Sequence, residues 1–121
     1  MARILAVDDA AETLLIMRKT LKALGHEVVT AADPEAALEL LADERFDLIF
    51  LDIMMPKVDG LEVCRRVRSG GINQHSKIVI FSAKSDQELV QIAQRFGADF
   101  YLGKPAHIAK IQEVAEKMLE A

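Results

Sequence analysis

One stretch constrains this chain more than any other: Leu48-Ile49-Phe50-Leu51, followed at once by Asp52. Four consecutive apolar residues between helical patterns read as a strand buried on both faces. An acid then stands where that strand leaves the core. In open α/β sheets, ligands bind at the carboxyl ends of the strands. A carboxylate there can be a nucleophile, a metal ligand or a cap. Met54-Met55-Pro56 and Asp59-Gly60 follow, so the chain turns immediately.

The same grammar repeats along the sequence. Ile4-Leu5-Ala6-Val7 is an apolar run ending in Asp8-Asp9, and Leu14, Met17, Leu21 and Leu24 then recur at helical spacing before Gly25. Residues 27–31 form a less apolar strand, suited to an edge. Asp33-Pro34 opens a second helix, with Asp as N-cap and Pro at the first position, and Ala37, Leu38 and Leu41 face inward. After Gly60, Leu61, Cys64 and Val67 mark a third helix closed by Gly70-Gly71, and residues 72–76 read as a polar loop. Ile78-Val79-Ile80-Phe81 is a strand ending at Ser82. Asp86 caps a fourth helix carrying Leu89, Ile92, Ala93 and Phe96, with Gly97 beyond it. Residues 99–102 form a fifth strand that ends at Gly103-Lys104-Pro105. Ile108, Ile111, Val114 or Ala115, and Met118 then line the inner face of a last helix.

Five βα units predict an α/β fold: a (βα)5 doubly wound three-layer sandwich around a five-stranded parallel sheet. Parallel neighbours need helical crossovers, and those are right-handed. At 121 residues and 51% hydrophobic content, the chain reads as one globular domain over 1–121. The net charge of −4, without any basic run, argues against direct nucleic-acid or membrane binding. One cysteine excludes an internal disulfide, and Cys64 on an apolar helical face reads as a buried structural thiol. The three histidines are scattered, with no zinc spacing. Met1-Ala2-Arg3 does not open a signal peptide, and the expected compartment is the cytoplasm.

Parallel strands bring Asp8-Asp9, Asp52, Ser82 and Lys104 to one end of the sheet. Clustered carboxylates repel unless a cation intervenes, and Mg²⁺ is the natural one: hard, oxygen-loving and readily shared with phosphate. A lysine can pair with an anion, and a serine hydroxyl can donate to a phosphoryl oxygen. Together these residues suit a phosphoryl group on or beside a carboxylate.

In Asp8-Asp9, Asp52 with Ile53-Met54-Met55-Pro56-Lys57-Val58-Asp59-Gly60, Ser82-Ala83 and Tyr101-Leu102-Gly103-Lys104-Pro105, the chain resembles the receiver domain of two-component response regulators, the single-domain chemotaxis regulators among them. The resemblance spans nearly the whole sequence and implies a flavodoxin-like strand order of 2-1-3-4-5. It implies that Asp52 accepts phosphate from a histidine kinase or phosphotransfer protein. It implies that Asp9, Asp52 and the Met54 backbone carbonyl bind Mg²⁺ directly, and Asp8 through water. Ser82 and Lys104 would hold the phosphoryl oxygens, Ser82 and Tyr101 would form the conformational switch, and Lys104-Pro105 would be a cis peptide. The protein would act by changing shape, presenting residues 86–112 to a protein target. It would be no enzyme beyond its own phosphorylation and dephosphorylation.

Departures from the family pattern are few. Ser82 stands where Thr is commoner, and Ala10-Ala11 follow the acidic pair where such domains often carry polar residues. Met54 and Lys84 occupy positions that in this family tune dephosphorylation. A phosphatase using Asp52 is disfavoured because Met54 replaces the second acid such enzymes use. A nucleotide-binding module is disfavoured because Asp8-Asp9 would repel phosphate and no glycine-rich loop follows the first strand.

Overall fold

Strands and helices alternate from one end of the chain to the other. The computed structural model describes residues 1–55, 59–84 and 86–120, so Pro56, Lys57 and Val58 of the loop after Asp52 lie outside the described residues. The strands are β1 (Arg3–Val7), β2 (Glu27–Ala31), β3 (Leu48–Leu51), β4 (Lys77–Ser82) and β5 (Phe100–Gly103). The helices are α1 (Ala11–Lys22), α2 (Pro34–Asp43), α3 (Gly60–Arg68), α4 (Gln87–Arg95) and α5 (Ile108–Glu120). All strand pairs are parallel, in the order β2-β1-β3-β4-β5. The chain first steps outward from β1 to β2, then crosses back to β3. That reversal opens a crevice at the carboxyl ends of β1 and β3.

Burial follows from this order. β3 is buried throughout and β1 from Ile4 onward, as strands covered on both faces must be, while β2 and β5 keep half-buried residues as sheet edges do. Alternate residues feed two cores. Leu5, Ile49, Ile78 and Ile80 pack with Ala37 and Leu41 of α2, Val63, Cys64 and Val67 of α3, and Ala93 of α4. Ile4, Phe50, Val79 and Phe81 pack with Met17 and Leu21 of α1 and with Ile111, Val114, Ala115 and Met118 of α5.

Three helices begin on an aspartate whose side chain accepts a backbone N–H of the first turn: Asp33 from Ala36 at 2.8 Å, Asp59 from Glu62 at 2.9 Å and Asp86 from Leu89 at 2.9 Å. α1 is different. Its N-cap is Ala10, with no side-chain cap, so neither Asp8 nor Asp9 is used to start it.

The structure departs from the sequence expectations in three places. Ile108 is 57% exposed and does not join the inner face of α5, where Val114 and Ala115 are both buried. The fifth strand runs one residue later than expected, Phe100–Gly103, and Asp99 before it closes the turn: its side chain accepts the Ile78 N–H and pairs with Arg68, both at 2.8 Å. The polar loop 72–76 is not simply solvated. Asn73 and Ser76 are buried: the Asn73 side chain accepts the Phe46 N–H and donates to the Leu41 and Glu44 carbonyls, and Ser76 Oγ donates to the Phe46 carbonyl.

Candidate functional site

Strand register assembles the site. Val7 lies opposite Leu51, so the chain leaves β1 and β3 side by side, with the Asp8 N–H donating to Ala31 and the Asp52 N–H to Val7. Ser82 lies opposite Gly103, and the Lys104 N–H donates to the Ser82 carbonyl at 2.8 Å. Asp8, Asp52 and Ser82 are buried, while Asp9 is exposed. The Lys104–Pro105 peptide bond is cis.

Lys104 Nζ lies 2.5 Å from Asp8 Oδ2 and 3.1 Å from Asp52 Oδ2. The other oxygen of each acid accepts a local backbone N–H, Asp8 Oδ1 from Ala10 and Asp52 Oδ1 from Met54, both at 2.9 Å. These short loops aim the carboxylates. Burial works against the charge on the Lys104 ammonium, but its hydrogen bonds to Asp8 and Asp52 and their charges outweigh that penalty and raise its pKa above the ordinary lysine value.

Asp8, Asp9 and Asp52 each offer a carboxylate oxygen within 4.8 Å of the others. Three carboxylates against one ammonium leave a formal local charge of −2 (−3 + 1). Hard oxygen donors with that residual charge fit a divalent cation such as Mg²⁺. Asp8 already has both oxygens engaged, whereas no hydrogen bond or ion pair engages the exposed Asp9 carboxylate among the described residues.

Ser82 and Tyr101 meet through the backbone of one residue. The Ser82 hydroxyl accepts the Lys84 N–H at 3.4 Å, and the Tyr101 hydroxyl donates to the Lys84 carbonyl. Burial raises the Tyr101 pKa; the Ser82 hydroxyl opposes that, and the Asp86 and Asp52 charges add to it.

Sequence reasoning missed two supporting residues. Gly60, at the first turn of α3, is buried, and a Cβ there would collide with the Asp52 carbonyl oxygen and lie 2.8 Å from Ile53 Cα. Its need is for close approach, not for a special φ. Phe81, one residue before Ser82, presents its ring 5.2 Å from Lys104 Nζ. Cys64 is buried and donates to the Phe96 carbonyl at 3.2 Å, and burial pushes its thiol up to about 11, so it packs as a structural residue.

The sequence profile of the response regulator receiver domain family matches residues 4–116. The chain belongs to that family. The receiver is 43% identical over 98 residues to the transcriptional regulatory protein AfsQ1 of Streptomyces coelicolor, covering 81% of this chain and 41% of that protein. It is 37% identical over 103 residues to the alkaline phosphatase synthesis transcriptional regulatory protein PhoP of Bacillus subtilis, covering 85% and 42%. The chain thus spans less than half the length of these curated relatives. Among solved structures, the chemotaxis protein CheY4 of Vibrio cholerae superposes with a TM-score of 0.93 at 32% identity, covering 98% of this receiver and 99% of that chain.

Proposed function

We propose that this receiver accepts a phosphoryl group on Asp52 and relays its presence through Ser82 and Tyr101. The placement of Asp52 carries the reading. It is buried at the crevice, lies against Lys104, groups with Asp8 and Asp9, and caps no helix. In the forward step an Asp52 oxygen attacks the phosphorus of a phosphohistidine on a histidine kinase or phosphotransfer protein. The P–N bond breaks, and the imidazole keeps the electron pair and takes a proton. In the reverse step water attacks the phosphorus, releasing inorganic phosphate and restoring the carboxylate. The chain therefore modifies and restores itself and turns over no separate substrate.

Asp9, Asp52 and the Met54 carbonyl would hold Mg²⁺, with Asp8 acting through water. When bound, Mg²⁺ offsets the charge on the phosphoryl oxygens. Lys104 pairs with a phosphoryl oxygen, and the Ser82 hydroxyl turns to donate to another. Ser82 accepts the N–H and Tyr101 binds the carbonyl of one residue, Lys84, so a turn of Ser82 alters the seat of the Tyr101 hydroxyl. The change reaches α4, β5 and α5, residues 86–112, where a protein target binds. The whole domain, 1–121, works without direct contact to nucleic acid or membrane, in the cytoplasm; no described helix is long and apolar enough to cross a bilayer.

The test uses acetyl phosphate with Mg²⁺. The parent gains one base-labile phosphate, and Asp52→Asn gains none. Normal labelling of the Asp52→Asn protein places the acceptor elsewhere.

A further inference from the structure

The geometry points to Phe81 as a positioning residue for Lys104, its ring face forming the third wall of the ammonium's seat; the inference rests on the reading of Asp52 as phosphoacceptor. A lysine ammonium carries three donors. Asp8 and Asp52 take two, and among the described residues no further acceptor lies within hydrogen-bonding distance. Nζ lies 5.2 Å from the centroid of the Phe81 ring, within the roughly 6 Å over which an aromatic face attracts a cation. The ring is fixed from behind. Phe81 is 6% exposed and belongs to the core that α1 and α5 share, with Met17 and Ile111. Ser82, the next residue, faces the opposite side of β4 and holds the Lys104 backbone through its carbonyl. Consecutive residues of one strand thus fix the two ends of Lys104, Ser82 its backbone and Phe81 its charge.

A leucine would fill similar core space but offers no negative face. Without the ring, the third side of the ammonium is bare and its position less defined, so the charge meets an incoming phosphoryl oxygen less often in register. Placement within a fraction of an ångström matters here because Lys104 must leave its present acid partners for the phosphoryl oxygen while staying in the crevice.

The experiment replaces Phe81 by mono-, di- and trifluorophenylalanine, which keep the ring's shape while draining its face of negative charge, and by leucine. Two quantities are read on the intact chain: the NMR order of the Lys104 side-chain terminus, and the rate of labelling by acetyl phosphate with Mg²⁺. Stepwise fluorination is expected to lower both in graded fashion, with labelling about two- to fivefold slower at trifluorophenylalanine and no faster for Phe81→Leu. A purely packing role for Phe81 predicts no gradient. If the trifluoro protein matches the parent in Lys104 order and in rate, the inference is overturned. Failure of the parent itself to label would strike the Asp52 assignment, and the Lys104 order across the series would still decide the role of Phe81.

Discussion

Lys104 answers only part of the negative charge gathered around it. Asp8 spends both oxygens on Lys104 and the Ala10 N–H, and Asp52 does the same with Lys104 and the Met54 N–H. Asp9 is the carboxylate left for a cation. Adding Mg²⁺ should raise the melting temperature of the parent by mass action, and chelation should reverse the gain. Asp9→Ala should weaken Mg²⁺ binding by about tenfold or more and flatten that thermal response; equal Mg²⁺ affinity in titration of the two proteins would remove Asp9 from the ligand set. These acids were legible in the sequence because a carboxylate directly after an apolar run breaks its pattern. Phe81 and Gly60 were not. A phenylalanine ending an apolar run looks like any strand residue, and a glycine beside Asp59 looks like any turn. Their meaning lies in Lys104 and in the Asp52 backbone, which sequence distance conceals.

At the scale of elements, α3 matters most to the site. It starts where Asp59 caps it, and its first turn presses Gly60 onto the Asp52 backbone, so the helix entry shapes the acceptor loop. Its exposed side carries a charge cluster: hydrogen bonds from Arg65 and Arg66 hold the Glu62 carboxyl down to about 2. A carboxyl depressed in the folded state stabilises fully above its unfolded value of 4.5 and loses that contribution as pH falls through about 2. The melting temperatures of the parent and Glu62→Gln should therefore differ at neutral pH and converge between pH 4.5 and 2. A constant gap across that window would mean that Glu62 acts through packing. Two helix starts were readable because Asp33 and Asp86 are capping residue types ahead of an apolar helical pattern; the start of α3 was not, because Asp59-Gly60 reads as a turn. The inner face of α5 begins one turn later than the spacing predicts, at Ile111. Ile108 keeps the helical spacing, yet it stands at the first residue of the helix and faces solvent.

Across the whole molecule, the two ends of the sheet are finished differently. At the carboxyl ends lies the acid cluster. At the amino ends, polar groups are matched: Arg68 donates to the Gly97, Gln74 and Ser76 carbonyls and to Asp99, while Asn73 and Ser76 close the turns around Phe46. Asn73→Leu strands the Phe46 N–H and the Leu41 and Glu44 carbonyls, and should cost roughly 3 kcal/mol in denaturant unfolding. Labelling of the folded protein by acetyl phosphate should be unchanged; a slowed rate would show that the two ends are coupled. This network escaped the sequence because Gly70-Gly71-Ile72-Asn73-Gln74-His75-Ser76 has the composition of an ordinary surface turn. The sheet itself did not escape it, since its strands are apolar blocks spaced by helices. Met1 and Leu119 line one cavity of about 460 Å³ at this finished end, with His26, His75 and Lys77. Met1 and Leu119 are therefore neighbours, on the side facing away from the acids. A short flexible bridge could close the chain into a ring, reopened at the exposed Gly70-Gly71, and the chemistry would stay at the far pole. The socket and the working tip thus stand at opposite poles of the fold.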